Sequence, residues 1–150
     1  MDKTDLGILK CLTEDARMNA SQIGTRVNLS VSAVIERMKK MEASGLIQKY
    51  TAVLDEKMAG FGAQALISVR LEHPKYNESF CQQVMSHPAV TECFYLTGDF
   101  DYMARILVSS TEELTKVLTD IKQIPGVSLT RTSVVLETVK QSTQLLPRIE

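Results

Sequence analysis

The chain has 150 residues, 44% of them hydrophobic, which suits one ordinary domain or two small ones and is too apolar for disorder. No stretch approaches the roughly 18 apolar residues of a membrane helix, and the start MDKTD lacks a secretory signal's apolar run, so a cytoplasmic location and no membrane partner are expected. The formal net charge of −1 announces no nucleic acid by itself. The cysteines, Cys11, Cys81 and Cys93, form no C-x-x-C and read as small buried thiols. His73 and His87 each precede a proline and read as exposed element ends, so neither a metal nor another cofactor is expected.

Taken in order, Lys3–Glu14 is a helix with Asp2 as its cap and Ile8, Leu9 and Leu12 on one face. A second helix starts at Asn19, with Gln22 in the reciprocal capping position and Ile23 and Val27 four apart. Asn28 stands where that helix ends, because Asn tolerates the left-handed backbone a tight turn needs. Leu29 plugs the corner and Ser30 caps a third helix, whose Val34, Met38 and Met41 form an inward stripe. Gly45 stops it. Two helices about a tight turn, the second with a polar outer face, make a helix-turn-helix or, more plainly, a helical hairpin.

If the third helix enters a DNA groove, Ser30 and Ser32 lie at its leading end. Val31 and Ile35 would touch thymine methyls, and Glu36 would accept from a cytosine amino group or pair with Lys40 four residues on. Arg37, Lys39 and Lys40 are assigned to phosphates. The strand formers of Leu46–Leu54 predict a short ribbon or wing.

The glycine-bearing stretch 55–62 reads as a linker between domains 1–54 and 63–150. Beyond it, Ala63–Leu71 is a strand and Asn77–Ser86 a helix presenting Phe80, Cys81, Val84 and Met85. Strands Val90–Thr97 and Tyr102–Ser109 follow, then a helix capped by Ser110 with an apolar stripe through Leu114, Val117, Leu118 and Ile121. Val127–Val139 is the last strand. The order β-α-β-β-α-β predicts an α+β, ferredoxin-like domain with helices on one face of its sheet. A second copy of the domain would cover the other face. The turn Gly98–Asp101 is an ordinary hairpin connection or part of a ligand site.

The first half carries Asp5, Ile8, Leu9, Leu12, Ala16, Arg17, Leu29, Ser30, Ser32, Val34, Arg37, Glu42, Gly45, Leu46, Ile47 and Tyr50. The second half carries GDFDY from Gly98 to Tyr102, PGV from Pro125 to Val127, TRT from Thr130 to Thr132, Glu137 and Lys140. In these residues, by their order and spacing, the chain resembles the Lrp/AsnC family of regulators. The resemblance implies a winged helix-turn-helix followed by a ligand-binding domain, homodimers often assembled into octamers, palindromic double-stranded DNA and an effector, an amino acid or a related small metabolite, bound between dimers. An amino acid presents an ammonium and a carboxylate. Asp101 would accept from the ammonium, Gly98 would let backbone donors approach, and Thr130 and Thr132 would supply hydroxyls. Tyr95 and Val134 would shape a side-chain pocket. Asp99 and Ser133 are counted with these effector-binding residues, Ser133 standing where some relatives carry a bulky aromatic and Asp99 being assigned a structural partner in Arg105 or Arg131. Two other readings remain at this point: an architectural DNA-binding protein without an effector, and an enzyme similar to haem-biosynthesis decarboxylases of the same two-domain plan.

Overall fold

The computed structural model describes residues 1–141, 146 and 147. Contacts divide it into two compact units, Met1–Val53 with the described residues from Lys140 on, and Leu54–Val139. The expected linker 55–62 thus groups with the second unit, and the expected end of that domain at 150 lies outside the described residues.

In the first unit α1 is Lys3–Glu14, α2 Ala20–Val27 and α3 Val31–Ala43. Reciprocal capping boxes open α1 (Asp2 with Asp5) and α2 (Asn19 with Gln22), satisfying amides that a helix start leaves unpaired. Asn28 takes φ 55° and ψ 51°, the left-handed turn between α2 and α3. Its neighbour Leu29 donates from N–H to the Gly24 carbonyl at 2.9 Å. A Cβ on Gly24 would lie 2.6 Å from the Leu29 carbonyl oxygen, so the tight corner requires the glycine. Ser30 accepts from the Ala33 N–H at 3.2 Å and starts α3. Ile8, Leu9, Cys11, Leu12, Ile23, Val34 and Met41 close one small core among the three helices. Full burial of an Ile or Val is worth about 1.5–3 kcal/mol, and Ile8, Ile23 and Val34 are fully buried.

The stretch 46–54 forms no strand, against the expected wing. Its residues favour strands, but among the described residues of this unit no neighbouring strand supplies a ladder.

The second unit contains β1 Ala63–Leu71, a single 3₁₀ turn Pro74–Tyr76, α4 Asn77–Ser86, β2 Val90–Tyr95, β3 Tyr102–Val108, α5 Thr111–Gln123 and β4 Val127–Val134. The sheet runs β2-β3-β1-β4 with every pair antiparallel, the expected α+β split motif. Alternation along β1 sends Ala65, Ile67, Val69 and Leu71 inward, where Phe80, Val84, Leu114, Val117 and Ile121 from the helices cover them. Met85, expected on that helix face, is exposed. β4 stops at Val134 rather than Val139 because β1 begins at Ala63. The Val135 N–H still reaches the Gln64 carbonyl, and only Ala63 of β1 lies beyond it.

Among the described residues, no helix of this unit covers the other sheet face. By strand register it presents Leu66, Ser68 and Arg70 of β1, Met103 and Arg105 of β3, Phe94 of β2, and Leu129, Arg131 and Ser133 of β4. Arg105 is tied there to Glu56 at 2.6 Å, which fastens the segment before β1 to the sheet.

Candidate functional site

The outer face of α3 is the first candidate surface. Val31 and Ile35 stay 46% and 41% exposed although both are strongly apolar, which suits contact with an apolar partner atom. Ser32, Lys39 and Lys40 are exposed beside them. Ser30 is committed to the cap, with its Oγ also 3.1 Å from that of Ser32. Glu36 takes the second of its two readings: its Oε1 lies 2.7 Å from Lys40 Nζ, and that cation holds its carboxyl below the usual range. Both ends are mostly exposed, so the pair opens at little cost.

Arg37, assigned to phosphate, is drawn to acids of its own unit: its Nη1 donates to Asp2 Oδ2 at 2.8 Å and to Asp5 Oδ1 at 2.7 Å, so that nitrogen is engaged within the protein. The remaining oxygens of those carboxylates accept the capping N–H groups of Asp5 and Asp2. The Asp2 carboxyl is held low by the Asp5 N–H and then by Arg37. For Asp5, partial burial pushes upward, and the Asp2 N–H and Arg37 outweigh it.

In the second unit the turn after β2 needs Gly98, whose φ is +116°. Asp101 is held through its backbone N–H, its carbonyl and one carboxylate oxygen. Its N–H donates to the Val69 carbonyl at 2.9 Å, its carbonyl accepts from the Leu96 N–H, and its Oδ2 accepts from the Leu71 N–H at 2.8 Å. Neither arginine expected beside these acids pairs with an acidic side chain of the turn: Arg105 belongs to Glu56, and Arg131 lies over the Phe100 ring at 5.1 Å. Arg70, absent from the expected site, packs on the same ring at 5.6 Å and donates from Nε to the Asp99 carbonyl at 2.6 Å. Phe100, an aromatic residue inside an otherwise polar turn, was the available sign of this cluster.

Register separates the expected ligand residues. Thr130, Thr132 and Val134 pair with Val69, Ile67 and Ala65, and so share the helix-bearing face at the β4 edge. Ser133, between them, faces the other way. Tyr95 pairs with Tyr102 on the opposite edge strand, β2. Three strand spacings at about 4.8 Å put Tyr95 about 14 Å from the β4 group. Tyr95 stacks on Tyr102 with ring centroids 5.0 Å apart, and Tyr102 packs on Phe80 at 4.7 Å. Burial pushes the Tyr102 hydroxyl up, as does its contact with the Cys81 thiol, which donates to it. Cys93, expected inside, is exposed on β2, an edge strand that the helices do not fully cover.

Known proteins agree with this layout. The profile of the Lrp/AsnC ligand binding domain matches residues 64–145, and a winged helix-turn-helix DNA-binding profile matches residues 1–48. The HTH-type transcriptional regulator FL11 of Pyrococcus horikoshii is 34% identical over 145 residues, covering 97% of this chain and 95% of its own. The leucine-responsive regulatory protein of Escherichia coli is 34% identical over 149 residues, with 97% and 91% covered. A transcriptional regulator of Neisseria meningitidis solved as a complex with L-Met superposes with TM-score 0.91 at 33% identity, covering 97% of this chain and 96% of that one. Escherichia coli AsnC superposes with TM-score 0.91 at 26% identity, covering 96% and 97%.

A trihelical DNA-binding unit joined to an α+β ligand-binding unit defines a DNA-binding transcriptional regulator. The chain belongs to the Lrp/AsnC family. Its named relatives are regulators rather than decarboxylases. Among the described residues, no helix is long and apolar enough to cross a membrane.

Proposed function

We propose that this regulator reads a palindromic operator as a cytoplasmic homodimer, or a higher oligomer such as an octamer, and that an amino acid bound between copies modulates it. The carrying observation is the separation of Tyr95, on the β2 edge strand, from Thr130, Thr132 and Val134 on the opposite edge strand. A pocket that uses both groups needs two chains, so filling it acts on assembly. The relative solved with L-Met supports an amino acid as the ligand. Asp101 keeps its ammonium role with the oxygen not engaged by Leu71, and Gly98 keeps its backbone role. Ser133 takes no part on the helix-bearing face. On DNA, Val31, Ser32 and Ile35 read bases, while Lys39 and Lys40 meet phosphates and Glu36 exchanges Lys40 for a base amino group. Two-fold symmetry of the dimer calls for matching half-sites.

A thermal-shift screen over the twenty amino acids tests the effector. A ligand at 100 times its dissociation constant stabilises the fold by about 2.7 kcal/mol. No shift with any of them would favour the architectural reading. With the responding amino acid in hand, Asp101→Asn should weaken its binding by about 1.5–3 kcal/mol, the range for a hydrogen bond to a charged group. Calorimetry measures this, and unchanged affinity would remove Asp101 from the site.

A further inference from the structure

The Arg37 guanidinium joins two helices that are distant in sequence. Asp2 and Asp5 lie 35 and 32 residues before it. Each acid divides its carboxylate: one oxygen caps the opening of α1 and the other takes Arg37. The network therefore cannot follow Arg37 outward without uncapping α1. The Asp5 side chain is only 16% exposed, against 68% and 74% for the open Glu36–Lys40 pair on the same helix. One guanidinium with two carboxylates carries a net charge of −1, which repels a phosphate. The acids also sit at the positive end of α1, which favours keeping them ionised there.

We propose that Arg37 is a positioning residue, bracing α3 against the capped start of α1 so that Val31, Ser32, Ile35 and Lys39 meet the groove at a fixed angle. It neutralises no phosphate. This rests on the reading of α3 as the groove helix. A phosphate ligand and a brace differ in what they do to salt dependence and to specificity. Loss of a phosphate contact weakens all DNA alike and lowers the log-log salt slope by about 0.9. Loss of a brace misaligns base contacts, so it costs selected DNA and spares random DNA.

The full-length chain is tested on two duplexes: one selected from a random-sequence library by the unaltered protein, and one of scrambled sequence. Arg37→Ala should weaken the selected duplex by about tenfold, as one mismatched base pair does, with the scrambled duplex and the salt slope unchanged. Asp5→Asn, nearly isosteric, serves where Arg37→Ala lowers the melting temperature severely. It should lower the ratio of selected to scrambled affinity, and Arg37→Ala added to it should cost little more. If Arg37 instead serves a phosphate, Asp5→Asn frees it and tightens both duplexes, while Arg37→Ala weakens both and flattens the slope. Either result overturns the proposal, as does an Arg37→Ala chain indistinguishable from the original. Val31→Ala and Lys39→Ala report on the groove helix itself. If both leave both duplexes unaffected, the assignment of α3 fails; if they weaken binding while Arg37→Ala does not, only the brace fails.

Discussion

The two units leave apolar surface exposed in different ways. In the first, three helices bury their stripes against one another, and the exposed apolar residues of α3, Val31 and Ile35, lie beside serines and lysines. In the second, one sheet face is buried under α4 and α5, while Phe94 and Leu129 remain half-exposed on the other. The first surface is narrow and mixed with cations, as a groove reader requires. The second is broad, and a sheet face of this kind is matched by another sheet face. On the proposed reading, one chain supplies a whole DNA-reading helix, while the open sheet face of its regulatory unit is where a second copy would add.

The sharpest test of that separation is Phe80→Ala, which empties the centre of the second core. It should destabilise that unit by about 3–5 kcal/mol. Hydrogen exchange of the Ile8, Ile23 and Val34 amides should stay protected, and their simultaneous loss would show that the units unfold as one. Leu129→Glu places a charge on the open sheet face without touching the core. It should weaken self-association by about 2 kcal/mol or more, the cost of losing a central interface residue. Sedimentation velocity measures this, and an unchanged oligomer would move the interface elsewhere.

The smallest effect is on acid stability, and it belongs to the first unit. Asp2 and Asp5 have carboxyls held below their ordinary value near 3.8. A lowered folded-state value means that their stabilisation is complete above that ordinary value and is lost as pH falls below it. The Arg37–Asp2–Asp5 brace should thus loosen below about pH 4. In Asp2→Asn with Asp5→Asn this acid-dependent loss should shrink, which melting curves across that range would show.

What was legible in the amino-acid sequence was local. Asp2, Asn19 and Ser30 announced helix starts because a cap bonds within three residues, and Asn28 announced the turn because so few residues accept its backbone. The βαββαβ order followed from periodicity. What was not legible depended on distance along the chain. Nothing at Arg37 points to carboxylates more than thirty residues away, and its spacing beside Lys39 and Lys40 suggests a phosphate patch instead. The length of β4 was set by where β1 begins, not by β4's own strand formers. The candidate ligand residues carry suitable chemistry, but only the strand order shows that Tyr95 and Thr130 stand at opposite edges.

The stacked Tyr95 and Tyr102 have a practical consequence. The chain contains no tryptophan and four tyrosines, so its near-ultraviolet spectrum is a tyrosine spectrum. Half of those chromophores sit in tilted ring contact on β2 and β3, at an edge of the regulatory unit. Burial raises the Tyr102 hydroxyl, and burial with the bond to Glu42 pushes Tyr50 up to about 12. Near neutral pH the exciton coupling of the stacked pair gives an optical signal in the unlabelled protein. Anything that docks at the β2 edge would perturb that signal and leave the tyrosine near α3 untouched.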